Sequence, residues 1–391
     1  MRRGLVALVL ALAVSAASAQ HHHGASGAAT PRPALGASAA FDAAGRLWAV
    51  HAEEAHVLLS VSDDAGQHWR RVGPVNAAPE PIAADGDNRP KLAFGPGGRL
   101  FVSWTQPTAR PYTGIVRFAA ADQAGAPFAQ PLTVHRDPQP ITHRFDALTV
   151  AQGGEVLVSW IDKRDMEAAK AGGEPYRGAA VYYAVSRNGG ASFEAERRLA
   201  EHSCECCRIA LAPRRDGSVQ ALWRHVFEPN VRDHATARIL LDGEPEPLRR
   251  ATRDDWALDA CPHHGPSLVE APDGTLHAVW FTGASGREGP WYGQLSTDGM
   301  VHAVRLPDEG AAHADLAVAG STVVIAWKAF DGEATRLRSM RSEDGGLSWA
   351  PPLTLASTTD ASGQPFVLVR AGRFHVFWHS RAHPLGTWAL P

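Results

Sequence analysis

The sequence predicts an all-β propeller, and three observations carry that expectation: a strand-turn-strand pattern that returns at blade-sized intervals, a second turn motif in register with it, and no convincing amphipathic helix. The first pattern is a Gly-containing turn followed by alternating apolar residues, usually with a Trp. It recurs at residues 45–51, 98–104, 154–160, 217–223, 274–280, 320–327 and 372–378. Successive copies end 53, 56, 63, 57, 47 and 51 residues apart, room for four short antiparallel strands each. Seven blades are expected in preference to six. The last unit supplies three strands, so a segment between Thr30 and Ala37 is expected to complete it and cover edges that would otherwise pair with other chains.

In chain order, Arg2 and Arg3, the apolar run 5–14 and the small residues 15–19 have the three-part layout of a secretory signal peptide, with cleavage expected after Ala19. Residues 20–34 read as a flexible tether and 35–391 as the propeller. Within each unit an apolar segment precedes the turn, as at 90–94 and 145–150, and reads as the hairpin partner. Two further strand-like runs follow it, as at 57–61 and 69–72. A chain that is 45% hydrophobic and 20% charged is globular, and its net charge of −3 gives no concentrated positive field for nucleic acid. No later segment approaches the ~20 apolar residues of a membrane helix, so the product is expected to be exported, periplasmic or secreted, with no membrane span.

The second motif lies between the third and fourth strands. Ser62, Asp64, Gly66 and Trp69 fit Ser-x-Asp-x-Gly-x-x-Trp, as do Ser342, Asp344, Gly346 and Trp349; Ser186, Asn188, Gly190 and Phe193 fit with two substitutions. Short polar side chains can hold the turn backbone, Gly can take φ > 0, and the ring is expected to pack under the hairpin. This motif resembles the Asp box, and with the blade repeat the chain resembles the sialidase or BNR-repeat superfamily over nearly all of its mature length. The resemblance implies a glycan-directed protein with exo-sialidase activity, its boxes on the face away from the active site. The superfamily also holds non-catalytic propellers.

In a propeller, residues just before each first strand and just after each second strand converge on the channel face. Before the first strands stand Asn88, Arg89, His143, Arg144, Cys206, Cys207, Arg208, Cys261, His263, His264, His313 and Gln364; after the second stand His51, Asp162, Arg224, Lys328 and His379. Arg89, Arg144 and Arg208 hold equivalent places and can grip a carboxylate bidentately, as a sialidase does; the alternative is ion pairs with Asp87, Asp146 or Asp162. Asp162 is the candidate catalytic carboxylate. Asn88, His143, His263, His264, His313 and Arg224 are candidate ligand contacts for a glycan or small anion. The Phe/Tyr-Arg-Ile-Pro motif of sialidases has no counterpart before the first box, and no Tyr has the context of a nucleophile. Tyr183 and Tyr292 are the nearest candidates, and the expectation is that neither reaches the arginines.

Cys204, Cys206, Cys207 and Cys261 are the only cysteines. They support two readings: a disulfide stapling blades 4 and 5, expected in an oxidising compartment, or a thiolate and imidazole site for a metal, copper being favoured by soft ligands and export. A mature end at Gln20, His21 and His22 would add an amino-terminal Cu(II) chelate. Three function classes follow: a glycan-directed sialidase-like protein, a non-catalytic propeller binding a ligand or partner, and metal handling through the Cys and His cluster.

Overall fold

The computed structural model describes residues 35–390. They form seven antiparallel sheets arranged as the blades of a propeller, six with four strands and the last with three. Each blade is a meander in sequence order. The inner strands are Ala37–Phe41, Lys91–Phe94, His143–Val150, Ala210–Pro213, Ser267–Glu270, Ala311–Ala319 and Phe366–Arg370. The signal peptide, the tether up to residue 34 and any strand formed by residues 30–34 lie outside the described residues. Ala37 opens the inner strand of blade 1, paired with His51, and so belongs to that blade.

Period-2 alternation explains the core. Each second strand is buried on both sides, so its alternate residues serve opposite seams between blades. In blade 6, Val323, Ile325 and Trp327 pack toward blade 5, whereas Val324 and Ala326 pack toward blade 7. In blade 1, Trp48 and Val50 face blade 2, while Leu47 and Ala49 face blade 7. The seven hydrophobic clusters among the described residues occupy the seven seams, one each. Every second strand also buries one Trp: Trp48, Trp104, Trp160, Trp223, Trp280, Trp327 and Trp378.

The motif turns repeat one hydrogen-bond pattern. The Ser62 hydroxyl accepts from Gly66 N at 2.7 Å and Asp64 Oδ1 accepts from His68 N at 2.9 Å. Ser342 and Asp344 do the same for Gly346 and Ser348, and Ser186 and Asn188 for Gly190 and Ser192. The ring does not pack under its own hairpin. It crosses to the preceding blade: Trp69 donates to Leu385 O at 3.0 Å in blade 7, Phe193 meets Phe118 of blade 2 with centroids 5.0 Å apart, and Trp349 meets Tyr292 of blade 5 at 4.8 Å. These turns are clamps between blades.

Among the described residues one α-helix occurs, Arg164–Gly172, between the second and third strands of blade 3. It buries no residue, which is why no apolar periodicity announces it.

Candidate functional site

Alternate connections of a four-stranded meander emerge at opposite ends. The motif turns therefore mark one face, and the connections after second strands and between blades make the other, the channel face. Two inner strands carry bulges there. The register shifts beside Phe145 in blade 3 and His313 in blade 6, whose φ values are 55° and 54°. Non-glycine residues at positive φ are uncommon, and on this face they also include Tyr112 and His263.

At the centre, Asp87 binds two arginines. Its Oδ1 lies 3.1 Å from Arg208 Nη1 and 3.6 Å from Arg89 Nη1, and its Oδ2 accepts from Gly265 N. Burial works to raise the Asp87 pKa, but Arg208 and then Arg89 outweigh it and hold the carboxyl well below the usual range. Gln364 Oε1 accepts from both guanidiniums, at 2.8 Å from Arg89 and 3.2 Å from Arg208, and its amide nitrogen is 2.9 Å from His313 Nδ1. Arg208 also donates to the carbonyls of Pro266 and Ala314, and Arg89 stacks over Phe366. Burial lowers Arg89 to about 10. Arg89 and Arg208 thus come together on a protein carboxylate, with carbonyls taking other donors.

Arg144 stands apart from that pair. It packs beside Gly114, its Nη2 is 3.6 Å from the exposed Asp85, and its buried Nε has no hydrogen-bond partner. Asn88 braces the same region, accepting from Phe145 N and donating to Asp85. Tyr112 sits on the neighbouring connection, its carbonyl accepting from Thr142 Oγ1 at 2.7 Å. Its ring is 78% exposed, and it is the exposed member of the five tyrosines.

Asp162 is fully committed. His143 Nδ1 is 2.9 Å from its Oδ2, which also accepts from Trp160 and Arg164, while Oδ1 accepts from the Arg164 backbone and Nε. That geometry makes it the anchor of a buried network, with His143 stacked on His135, and leaves no lone pair for a substrate. Tyr183 is buried in the blade 3 and 4 seam against Arg197, and the Tyr292 hydroxyl meets His277 Nδ1 and Gly345 O on the opposite face. Neither touches Arg89, Arg144 or Arg208.

The cysteines gather on the connections into blades 4 and 5. Cys204 Sγ lies 3.8 Å from Cys206 Sγ and 3.7 Å from Cys207 Sγ, far outside the ~2.05 Å of a disulfide, and all four are free thiols. The expected disulfide staple is therefore corrected: Cys261, on the connection into blade 5, lies near Cys206 and remains a free thiol. His264 stacks between Phe281 and His313 at 3.9 and 4.4 Å, and burial lowers it to about 4; His263 is exposed. Arg224 is buried, donating to the carbonyls of Arg232, His264 and Phe281. Sequence inspection missed Arg232, whose Nη1 donates to Cys204 Sγ at 3.5 Å. Its position in the connection after the second strand of blade 4 was the available signal.

No protein-family model and no curated protein sequence matches this chain. Among solved structures, it superposes on a family PL25 ulvan lyase bound to -[GlcA(1-4)Rha3S]- with a TM-score of 0.55 at 10% identity, covering 90% of both chains. A Penicillium chrysogenum α-L-arabinanase complexed with arabinobiose gives 0.50 at 13% identity, over 75% of this chain and 88% of the other. Virginiamycin B lyase from Staphylococcus aureus gives 0.50 at 10% identity, over 90% and 93%. At such identities the likeness is one of fold, and it is shared by proteins of different chemistry.

Proposed function

We propose that this protein is an exported propeller that binds an acidic glycan on its channel face and does not hydrolyse it as a sialidase would. The observation that carries the reading is an exposed Tyr112 on the connection that packs against the strand start bearing Arg144: its carbonyl accepts from Thr142, and Gly114, two residues on, lies against Arg144. An exposed ring offers a flat surface for the C–H face of a sugar, and a guanidinium with an unpartnered buried Nε offers a donor for a sugar carboxylate. Two of the propellers of similar fold are described as acting on, or complexed with, glycans, one of them containing a uronic acid, which supports the ligand class. The commitment of Asp162 and the distance of Tyr183 and Tyr292 from the arginines support binding without glycosidic hydrolysis.

The test is calorimetric titration of the purified chain with uronate- and sialate-containing oligosaccharides, beside a fluorogenic sialoside. Tyr112→Ala and Arg144→Gln are each expected to weaken binding about tenfold or more, the cost of one stacking or charge-assisted contact. No sialic acid release is expected. Unchanged affinity in both variants, or no acidic glycan bound at all, refutes the reading.

A further inference from the structure

We infer that Cys204, Cys206 and Cys207 form a three-thiolate socket for one soft d10 cation, Cu(I) or Zn(II), with Cys261 as the outer ligand through which the ion arrives. This goes beyond the glycan reading and does not depend on it.

The geometry is that of a ligand set. The three buried sulfurs lie within 4.8 Å of one another, and the two shortest separations are 3.7 and 3.8 Å. A tetrahedron with metal–sulfur bonds of ~2.3 Å has edges of about 3.8 Å. The sulfurs are therefore spaced for a shared ion and too far apart for a covalent bond to each other. Their support comes from backbone: Cys204 N donates to Arg224 O at 2.9 Å, fixing the turn that leads into blade 4. Cys261 approaches from the connection into blade 5 and is exposed, so the cluster has a solvent side.

Charge makes the second argument, independent of spacing. Arg224 is 1% and Arg232 8% exposed, and neither has a carboxylate within ion-pair distance among the described residues. Buried guanidiniums without a counter-charge are costly. Arg232 donates to Cys204 Sγ, so a thiolate there is the counter-ion the fold supplies. In the metal-free cluster Cys206 and Cys207 each hydrogen-bond with the Cys204 sulfur. An incoming ion takes the place of the thiol protons, which leave to solvent, and forms three metal–sulfur bonds without redox change. Glu205, in the middle of the run, is held by Lys163 and offers no competing hard ligand. Thiolates in this number select soft cations over Mg²⁺ or Ca²⁺.

The experiment uses the full reduced chain under anaerobic conditions, titrated with Cu(I) against a chromophoric Cu(I) chelator and separately with Zn(II) against a chromophoric Zn(II) chelator. One equivalent of Cu(I), Zn(II) or either is expected to be withheld, with an ultraviolet thiolate-to-metal band and with thiol-reagent titration falling from four groups to one or none. Cys207→Ser and Cys206→Ser should each weaken retention at least 100-fold, and Cys261→Ser about tenfold while slowing uptake. Circular dichroism separates loss of ligand from loss of fold, and Arg232→Gln, which keeps all four thiols, should weaken retention without removing a ligand. Retention of neither ion by a chain with four titratable thiols overturns the proposal. A mass two hydrogens lighter in the anaerobic reduced protein, marking a disulfide, overturns it equally.

Discussion

Asp87 shows how one carboxylate organises the centre of the channel face. It holds two buried guanidiniums from the starts of blades 2 and 4, each of which also reaches Gln364 at the start of blade 7. Asp87→Asn would leave both arginines without their counter-charge, and a loss of about 3–5 kcal/mol is expected in urea unfolding. The pH dependence has a definite sign. The folded pKa is below that of the unfolded chain, so the unfolded state binds the proton more readily; stabilisation is complete above the ordinary carboxylate range of ~4 and is lost as pH falls toward the folded value. Melting temperature should therefore drop below about pH 4 more steeply in the wild type than in Asp87→Asn. Sequence spacing was sufficient to pick out Arg89, Arg144 and Arg208 as equivalent, but equivalence in a repeat does not fix where a long side chain goes. Beside the bulge at Phe145, Arg144 faces Asp85 and not Asp87, and no local pattern encodes that.

At the scale of the element, the motif turns were legible because each needs particular residues at fixed offsets. What the pattern concealed was the direction of the ring, since a preceding blade is a tertiary neighbour. The glycines record the same contact. A Cβ on Gly346, at φ 88°, would stand 1.9 Å from the Tyr292 hydroxyl of blade 5, whereas one on Gly345, at φ 73°, would meet nothing within 4 Å. Gly345→Ala should cost only the backbone strain, about 1 kcal/mol. Gly346→Ala should cost clearly more, because the Tyr292 hydroxyl must give up its place between His277 and Gly345 O. Chemical denaturation of the two variants side by side checks this, and equal costs would mean the turns are not clamps. The thiol cluster was legible as a composition and not as a bonding state; the 3.7 and 3.8 Å separations decide against bonds within the 204–207 run, and the free thiol of Cys261 against the staple.

For the whole molecule, the question is how the ring closes. Among the described residues blade 7 has three strands, and its seam with blade 1 is held by side chains: Ala37, Ala39, Leu47 and Ala49 against Phe377 and Leu385, with Trp69 edge-on to Phe377 at 6.3 Å. Phe377 is fully buried, and Phe377→Ala should destabilise by about 3–5 kcal/mol in denaturant unfolding. A cost under about 1 kcal/mol would show that this seam does not carry the closure. The blade count followed from seven Gly turns at even spacing, whereas the seam partners did not, because strands buried on both faces read as continuous apolar runs that do not say which residue faces which neighbour.

The well-formed clamps lie on the face opposite the channel, and this divides the chain's freedom to change. Substitutions in the motif turns or in the seams disturb neighbours on a second blade. On the channel face the contacts between blades concentrate on Asp87, Arg89, Arg208 and Gln364, and exposed positions such as Tyr112 and His263 lie outside that network. Exposed positions of the channel face can therefore be replaced while the clamps and seams that build the ring are kept. A ring held in this way needs few particular residues, and solved structures that share a tenth of this chain's residues over nine-tenths of its length have its fold.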